Sequence, residues 1–125
     1  MTDWVLDASA VLAFLKDEPG AGRIATLIPA AVISSVNAAE VVTKLIRNGG
    51  DIERAKEAIE FVDCPIVPVD ADLALRAATL GATTKGLSLG GRICLALAER
   101  EGVPALTADR AWSELVLAVD VELIR

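Results

Sequence analysis

At 125 residues and 54% hydrophobic side chains, the chain is long enough for one domain with a real core and far too apolar for disorder. Its net charge of −6 and pI of about 4.6 exclude a basic, non-specific nucleic-acid binder. The lack of histidine excludes Ser-His-Asp triads, Cys-His nucleophiles, histidine acid–base ribonucleases and His-ligated zinc.

The first strand is expected at Trp4–Leu6, ending at Asp7, with a helix over Ala8–Lys16 and a break at Asp17–Gly20. A short helix, Ala21–Ile28, stops at Pro29, and Ala31–Ser34 reads as a second strand. Val36–Arg47 is a helix closed by Asn48, Gly49 and Gly50, and Ile52–Val62 is another, capped by Asp51. Ile66–Val69 reads as a third strand, at the sheet edge, followed by a helix over Ala71–Leu80 behind Asp70. Thr83–Gly91 is expected to be a Gly-, Thr- and Ser-rich loop, and Arg92–Glu101 a helix. Val103–Leu106, a helix at Arg110–Leu117 and a last strand at Val121–Ile124 complete the chain. Strands alternating with helices predict right-handed crossovers and a central parallel sheet of four to five strands between two helical layers. The whole of 1–125 is read as one domain.

Cys64 and Cys94 have no paired-motif spacing and read as reduced core thiols of a cytoplasmic protein. No signal peptide is visible, and no apolar stretch approaches the roughly 20 residues of a membrane span. With few aromatic side chains, base stacking is not the expected mode of nucleic-acid binding.

In folds of this kind ligands bind beyond the carboxyl ends of the strands. Three acids fall there: Asp7 after the first strand, Glu40 one turn into the helix after the second, and Asp109 after the fourth. Carboxylates gathered in one place repel each other, and a divalent cation such as Mg²⁺ or Mn²⁺ is the usual reason for it. Each acid also has a plainer reading. Asp7 and Asp109 sit where helix caps sit, with Thr107 competing for the second cap. Periodicity puts Glu40 opposite the apolar face of its helix, as a solvated i,i+4 partner of Lys44. Asp70 keeps the cap reading alone.

Four segments resemble the PIN-domain nucleases, in particular the VapC-type toxins of bacterial toxin–antitoxin pairs. They are Val5-Leu6-Asp7-Ala8-Ser9-Ala10, Asn37-Ala38-Ala39-Glu40-Val41, the run from Leu87 through Gly90-Gly91-Arg92 to Ala98, and Leu106-Thr107-Ala108-Asp109. The resemblance implies a three-layer α/β/α PIN-like fold and a Mg²⁺- or Mn²⁺-dependent endoribonuclease. In that pattern Asp7, Glu40 and Asp109 bind metal, while Ser9 and Thr107 supply positioning hydroxyls. It also implies an antitoxin partner, a homodimer, possible assembly into a toxin–antitoxin hetero-oligomer, and an RNA substrate. Lys44, Arg47, Arg92 and Arg110 are candidate phosphate contacts.

The chain departs from the pattern at Gly91, where the family carries an acid. A carboxylate at that helix start would be favoured by the dipole, by roughly 0.3–1 kcal/mol if exposed, whereas a glycine pair adds only backbone entropy cost. The glycine reads as an exchange that disarms a toxic enzyme, as a natural loss of activity, or as a tolerated gap with the other acids still holding one ion. Weak metal binding and poor RNA cleavage are the expectation. The alternative is a catalytically silent PIN-like module that pairs with an antitoxin and with itself. A phosphatase or phospho-receiver fits less well, because Asp7-Ala8-Ser9 lacks a second acid two residues on.

Overall fold

Five short parallel strands carry the architecture in this computed structural model, which describes residues 2–125. They are β1 (Trp4–Leu6), β2 (Ala31–Ser34), β3 (Ile66–Val67), β4 (Ala105–Thr107) and β5 (Val121–Leu123). The helices are α1 (Ala8–Leu15), α2 (Ala21–Leu27), α3 (Ser35–Arg47), α4 (Ile52–Val62), α5 (Ala71–Thr83) and α6 (Leu89–Glu101). The strand order is β3-β2-β1-β4-β5, with β3 at an edge as expected.

Side-chain alternation along the strands builds two cores. Leu6, Ile33 and Leu106 face one way and pack with Val11 of α1, Ile24 of α2, Val41 of α3 and Val62 of α4. Their neighbours Val5, Val32 and Ala105 face the other way, against Leu73 and Ala77 of α5 and the buried run Ile93–Ala98 of α6. The result is the three-layer α/β/α fold, with helices covering both faces of an all-parallel sheet.

The strand order reverses at β1. From there the chain runs outward through β2 and β3, then returns to add β4 and β5 on the other side. A crevice opens at such a switch point, beyond the carboxyl ends of β1 and β4. The two strands are in register at Leu6 and Leu106, and the amide of Asp7 donates to the carbonyl of Leu106 at 2.9 Å. Asp7 and Asp109 therefore leave the sheet side by side.

β3 stops at Val67 rather than Val69, β4 runs over Ala105–Thr107 rather than Val103–Leu106, and two expected elements differ in kind. The stretch Thr83–Gly91 is not a loop throughout: α5 runs on to Thr83, and α6 begins at Leu89 rather than Arg92. Ser88 caps α6 by accepting the Gly91 amide at 3.0 Å, so both glycines lie inside the first helical turn. The expected helix at Arg110–Leu117 is only a 3-10 turn over Arg110–Glu114, which ends as Leu115 becomes extended. Trp112 anchors it by burying its indole against the α5–α6 core.

Candidate metal centre

Asp7 stands at the cap position of α1, yet its side chain makes no capping bond. Its Oδ2 instead accepts from Ser9 Oγ at 2.6 Å and from Thr107 Oγ1 at 3.0 Å. Each hydroxyl has one proton, and each points it at Asp7, so the 3.1 Å approach between the two oxygens is proximity only. The hydroxyls are fixed in turn by backbone donors: the Ala108 amide to Ser9 at 2.9 Å and the Asp109 amide to Thr107 at 3.0 Å. Thr107 is wholly buried and Asp7 nearly so. Burial pushes the Asp7 carboxyl above its ordinary range. The Ser9 and Thr107 hydroxyls oppose that shift, as do, more weakly, the nearby amides of Ala8 and Ser9.

Asp109 is exposed and caps the 3-10 turn, its Oδ1 accepting from the Ala111 amide at 3.0 Å. The cap reading holds for that oxygen; Oδ2 has no protein donor. Glu40 is half-buried rather than solvated. Its Oε1 accepts from Asn37 Nδ2 at 2.9 Å, and Lys44, its i,i+4 neighbour, makes no ion pair with it. Asp70 caps its helix as expected, accepting from the Leu73 amide at 2.8 Å, and also pairs with Arg100 away from the cavity.

The three strand-end acids, Ser9, Lys44 and Trp112 line one cavity of about 150 Å³. Lys44 and Glu40 are shared with a second groove of about 300 Å³ along α3, which Arg47 also lines. Arg92 does not join them. Its guanidinium lies over Gly81 of α5, and its Nε is buried without a hydrogen-bond partner. Arg110 is exposed on the 3-10 turn.

Three properties of the cavity bear on a cation. The side chains able to ligate a cation are all oxygen donors, the three carboxylates and the hydroxyls of Ser9 and Ser88, which suits Mg²⁺ or Mn²⁺ rather than a soft metal; Thr107 is buried behind Asp7 and does not line the cavity. Asp7 Oδ1, Glu40 Oε2 and Asp109 Oδ2 carry no hydrogen bond among the described residues. None of the three acids has a basic partner within 4.0 Å there, whereas acids elsewhere on the surface do, as in Glu122–Arg23 and Asp70–Arg100. The spacing is looser than the chemistry: among the described residues no three acidic or cysteine side chains converge tightly enough to enclose one ion.

Gly91 lies in the first turn of α6, facing the Trp112 indole and the Ser88 hydroxyl. An acid there would enter the same cavity rim that Ser88 and Trp112 form. Cys94, one turn on, is fully buried beneath the site. Burial, together with the negative charge of Asp7 and Glu40, pushes its thiol well up.

Asn37, Ser34, Gly90 and Trp112 also shape this site; Asn37 and Gly90 lie in the segments that carry the resemblance but have no role there, and Ser34 and Trp112 lie outside them. The one signal available was the spacing of Ser34 and Asn37, which matches a helix cap and its third residue.

The PIN-domain family model matches residues 4–116. No curated protein sequence matches the chain significantly. Among solved structures it is similar to the DNA-bound VapBC of Salmonella typhimurium, with a TM-score of 0.79 and 17% identity over 100% of both chains. It is also similar to Mycobacterium tuberculosis VapC20, described as a sarcin-ricin loop cleaving toxin, with a TM-score of 0.74 and 21% identity over 90% of this chain and 94% of that one. FitAcB from Neisseria gonorrhoeae gives a TM-score of 0.70 at 17% identity over 97% of both chains. At these identities the likeness is one of fold.

Proposed function

Since this chain belongs to the PIN-domain family, we propose that it is the ribonuclease toxin of a toxin–antitoxin pair, with Asp7, Glu40 and Asp109 as its metal ligands and Mg²⁺ or Mn²⁺ as its cofactor. The observation that carries this reading is the set of three strand-end carboxylates around one cavity, each with an oxygen free of protein donors and none paired with a base.

A divalent ion bound there would neutralise the carboxylates and the phosphodiester and make a nearby water more acidic. The chain's own residues do the rest. Ser9 and Thr107 lock Asp7 Oδ2 from one side, which leaves Oδ1 aimed away from the hydroxyl pair. Asp109 is oriented by its own cap bond. Lys44 brings positive charge to the cavity rim, and Arg47 extends it along the α3 groove, giving an RNA backbone a basic track on an otherwise acidic protein.

The antitoxin reading draws on the VapBC and FitAcB folds together with the net charge of −6, which suits a basic partner segment. Homodimerisation and action in the cytoplasm belong to the same proposal; among the described residues no helix is long and apolar enough to cross a membrane.

Gly91 lowers the activity of this chain in the proposal, because it removes one acid from the cavity rim. The looseness of the remaining carboxylates favours a second reading, a catalytically silent module that binds antitoxin and a second copy of itself. A Mn²⁺ titration of this chain beside Asp7→Ala separates the two. Tighter binding by the unmodified chain supports the nuclease site, and equal binding supports the silent module.

A further inference from the structure

Glu40 is held in place by groups that are not acids. Asn37 is wholly buried, and every hydrogen-bonding group of its amide is used. Its Nδ2 donates to Glu40 Oε1 at 2.9 Å and to the Gly90 carbonyl at 3.0 Å, while its Oδ1 accepts from Ser34 Oγ at 2.6 Å. Ser34 Oγ also accepts the Asn37 amide at 3.0 Å, so the cap of α3 and the side chain that reaches Glu40 are one network.

Gly90 supplies the other half. Its φ is not positive, so the backbone does not require glycine there. Space does. A Cβ at this position would lie 2.5 Å from Glu40 Cδ and 2.6 Å from Oε2, and closer still to Oε1. Glycine is a poor helix former, and one buried in a first turn has a packing reason. Here the carboxylate of α3 rests directly on the backbone of α6.

We propose that Asn37 and Gly90 form a clamp that positions the Glu40 carboxylate at the acidic cavity, Asn37 by hydrogen bonding and Gly90 by leaving it room. Both are positioning residues. Without them Glu40 would take the solvated place beside Lys44 that its helical periodicity predicts. The positional claim stands on the geometry; its consequence for metal rests on the nuclease reading above.

Two variants test it, Gly90→Ala and Asn37→Ser, each in the full chain. Crystal structures of both should show the Glu40 carboxylate displaced from the first turn of α6. An unmoved carboxylate in either would overturn the clamp. Gly90→Ala raises helix propensity, so it keeps the test open if Asn37→Ser does not fold. In parallel, Mn²⁺ affinity read by electron paramagnetic resonance should fall about 10-fold in Gly90→Ala and fall no further in a Glu40→Gln background, as expected for a residue acting through a ligand. Additive losses would overturn the clamp. If the unmodified chain and Asp7→Ala bind Mn²⁺ equally, the metal reading fails, and the crystal structures alone decide the clamp.

Discussion

Trp112 Cζ2 stands 3.0 Å from the place a Cβ on Gly91 would occupy, and Ser88 Oγ stands 3.3 Å from it. The indole lies against the position where the resemblance implies an acid. Gly91→Ala sets a helix-propensity gain of up to about 1 kcal/mol against overpacking of ~1–3 kcal/mol. If the indole yields by a few tenths of an ångström, stability by urea denaturation changes by no more than ~1 kcal/mol. A loss beyond about 3 kcal/mol would mean that Trp112 cannot yield, and that no side chain is admitted at Gly91 without rebuilding the rim.

Asp7 should make the metal-free protein less stable as pH rises. Burial raises its carboxyl above the ordinary 3.8. Between those two values the folded chain holds more protons than the unfolded chain, so stability falls through that window and stays reduced above it. Asp7→Asn keeps an oxygen for the Ser9 and Thr107 hydroxyls and removes the charge. Without divalent metal its Tm at pH 7 should exceed that of the unmodified chain, and the difference should shrink as pH drops below the ordinary carboxyl value. A lower Tm for Asp7→Asn at pH 7 would contradict this.

Thr107→Val tests the hydroxyl pair. The change keeps the shape but takes a donor from Asp7 Oδ2 and an acceptor from the Asp109 amide. Leaving such buried groups short costs roughly 1–3 kcal/mol. Thermal denaturation should show that loss, with Ser9→Ala costing less because Ser9 is only half-buried. A neutral Thr107→Val would mean that the hydroxyl does not orient Asp7.

Much of this was legible from local pattern. The bounds of β1 and β2 follow from short apolar runs, and the capping roles of Asp51 and Asp70 follow from position. What escaped depends on contacts between distant segments. Glu40 looks solvated on its own helix, and only Gly90, fifty residues later, leaves it a half-buried seat. Asp7 looks like a cap until Thr107 arrives from β4 to share its oxygen. The glycine pair read as loop because glycine disfavours helix, and packing against Glu40 and Trp112 overrode that preference. Arg110–Leu117 read as helix because nothing local announces that Asp109 and Trp112 hold it to a single tight turn.

Both thiols should be inert in the folded chain. Burial and the neighbouring Asp63 push Cys64 up to about 11, from an ordinary 9.0, which leaves about 100-fold fewer thiolates near neutral pH. Cys94 is pushed up as well, beneath Asp7 and Glu40. A chromogenic disulfide reagent should label neither at pH 7.5 on the timescale of minutes and both after denaturation. Rapid labelling of Cys94 in the folded protein would mean that the floor of the acidic cavity opens.

The most direct test of the central claim is RNA cleavage by this chain and by Gly91→Asp, side by side with and without Mg²⁺, each also carrying Asp7→Ala. Restoring the acid should speed Mg²⁺-dependent cleavage at least ~10-fold, since even residues outside the direct ligand set contribute that much at metal sites. Asp7→Ala should abolish cleavage in both. Equal rates for the two chains would overturn the loss assigned to Gly91, while cleavage that survives Asp7→Ala, or no Mg²⁺-dependent cleavage by either chain, would contradict the assignment of this cavity as a metal-dependent nuclease site.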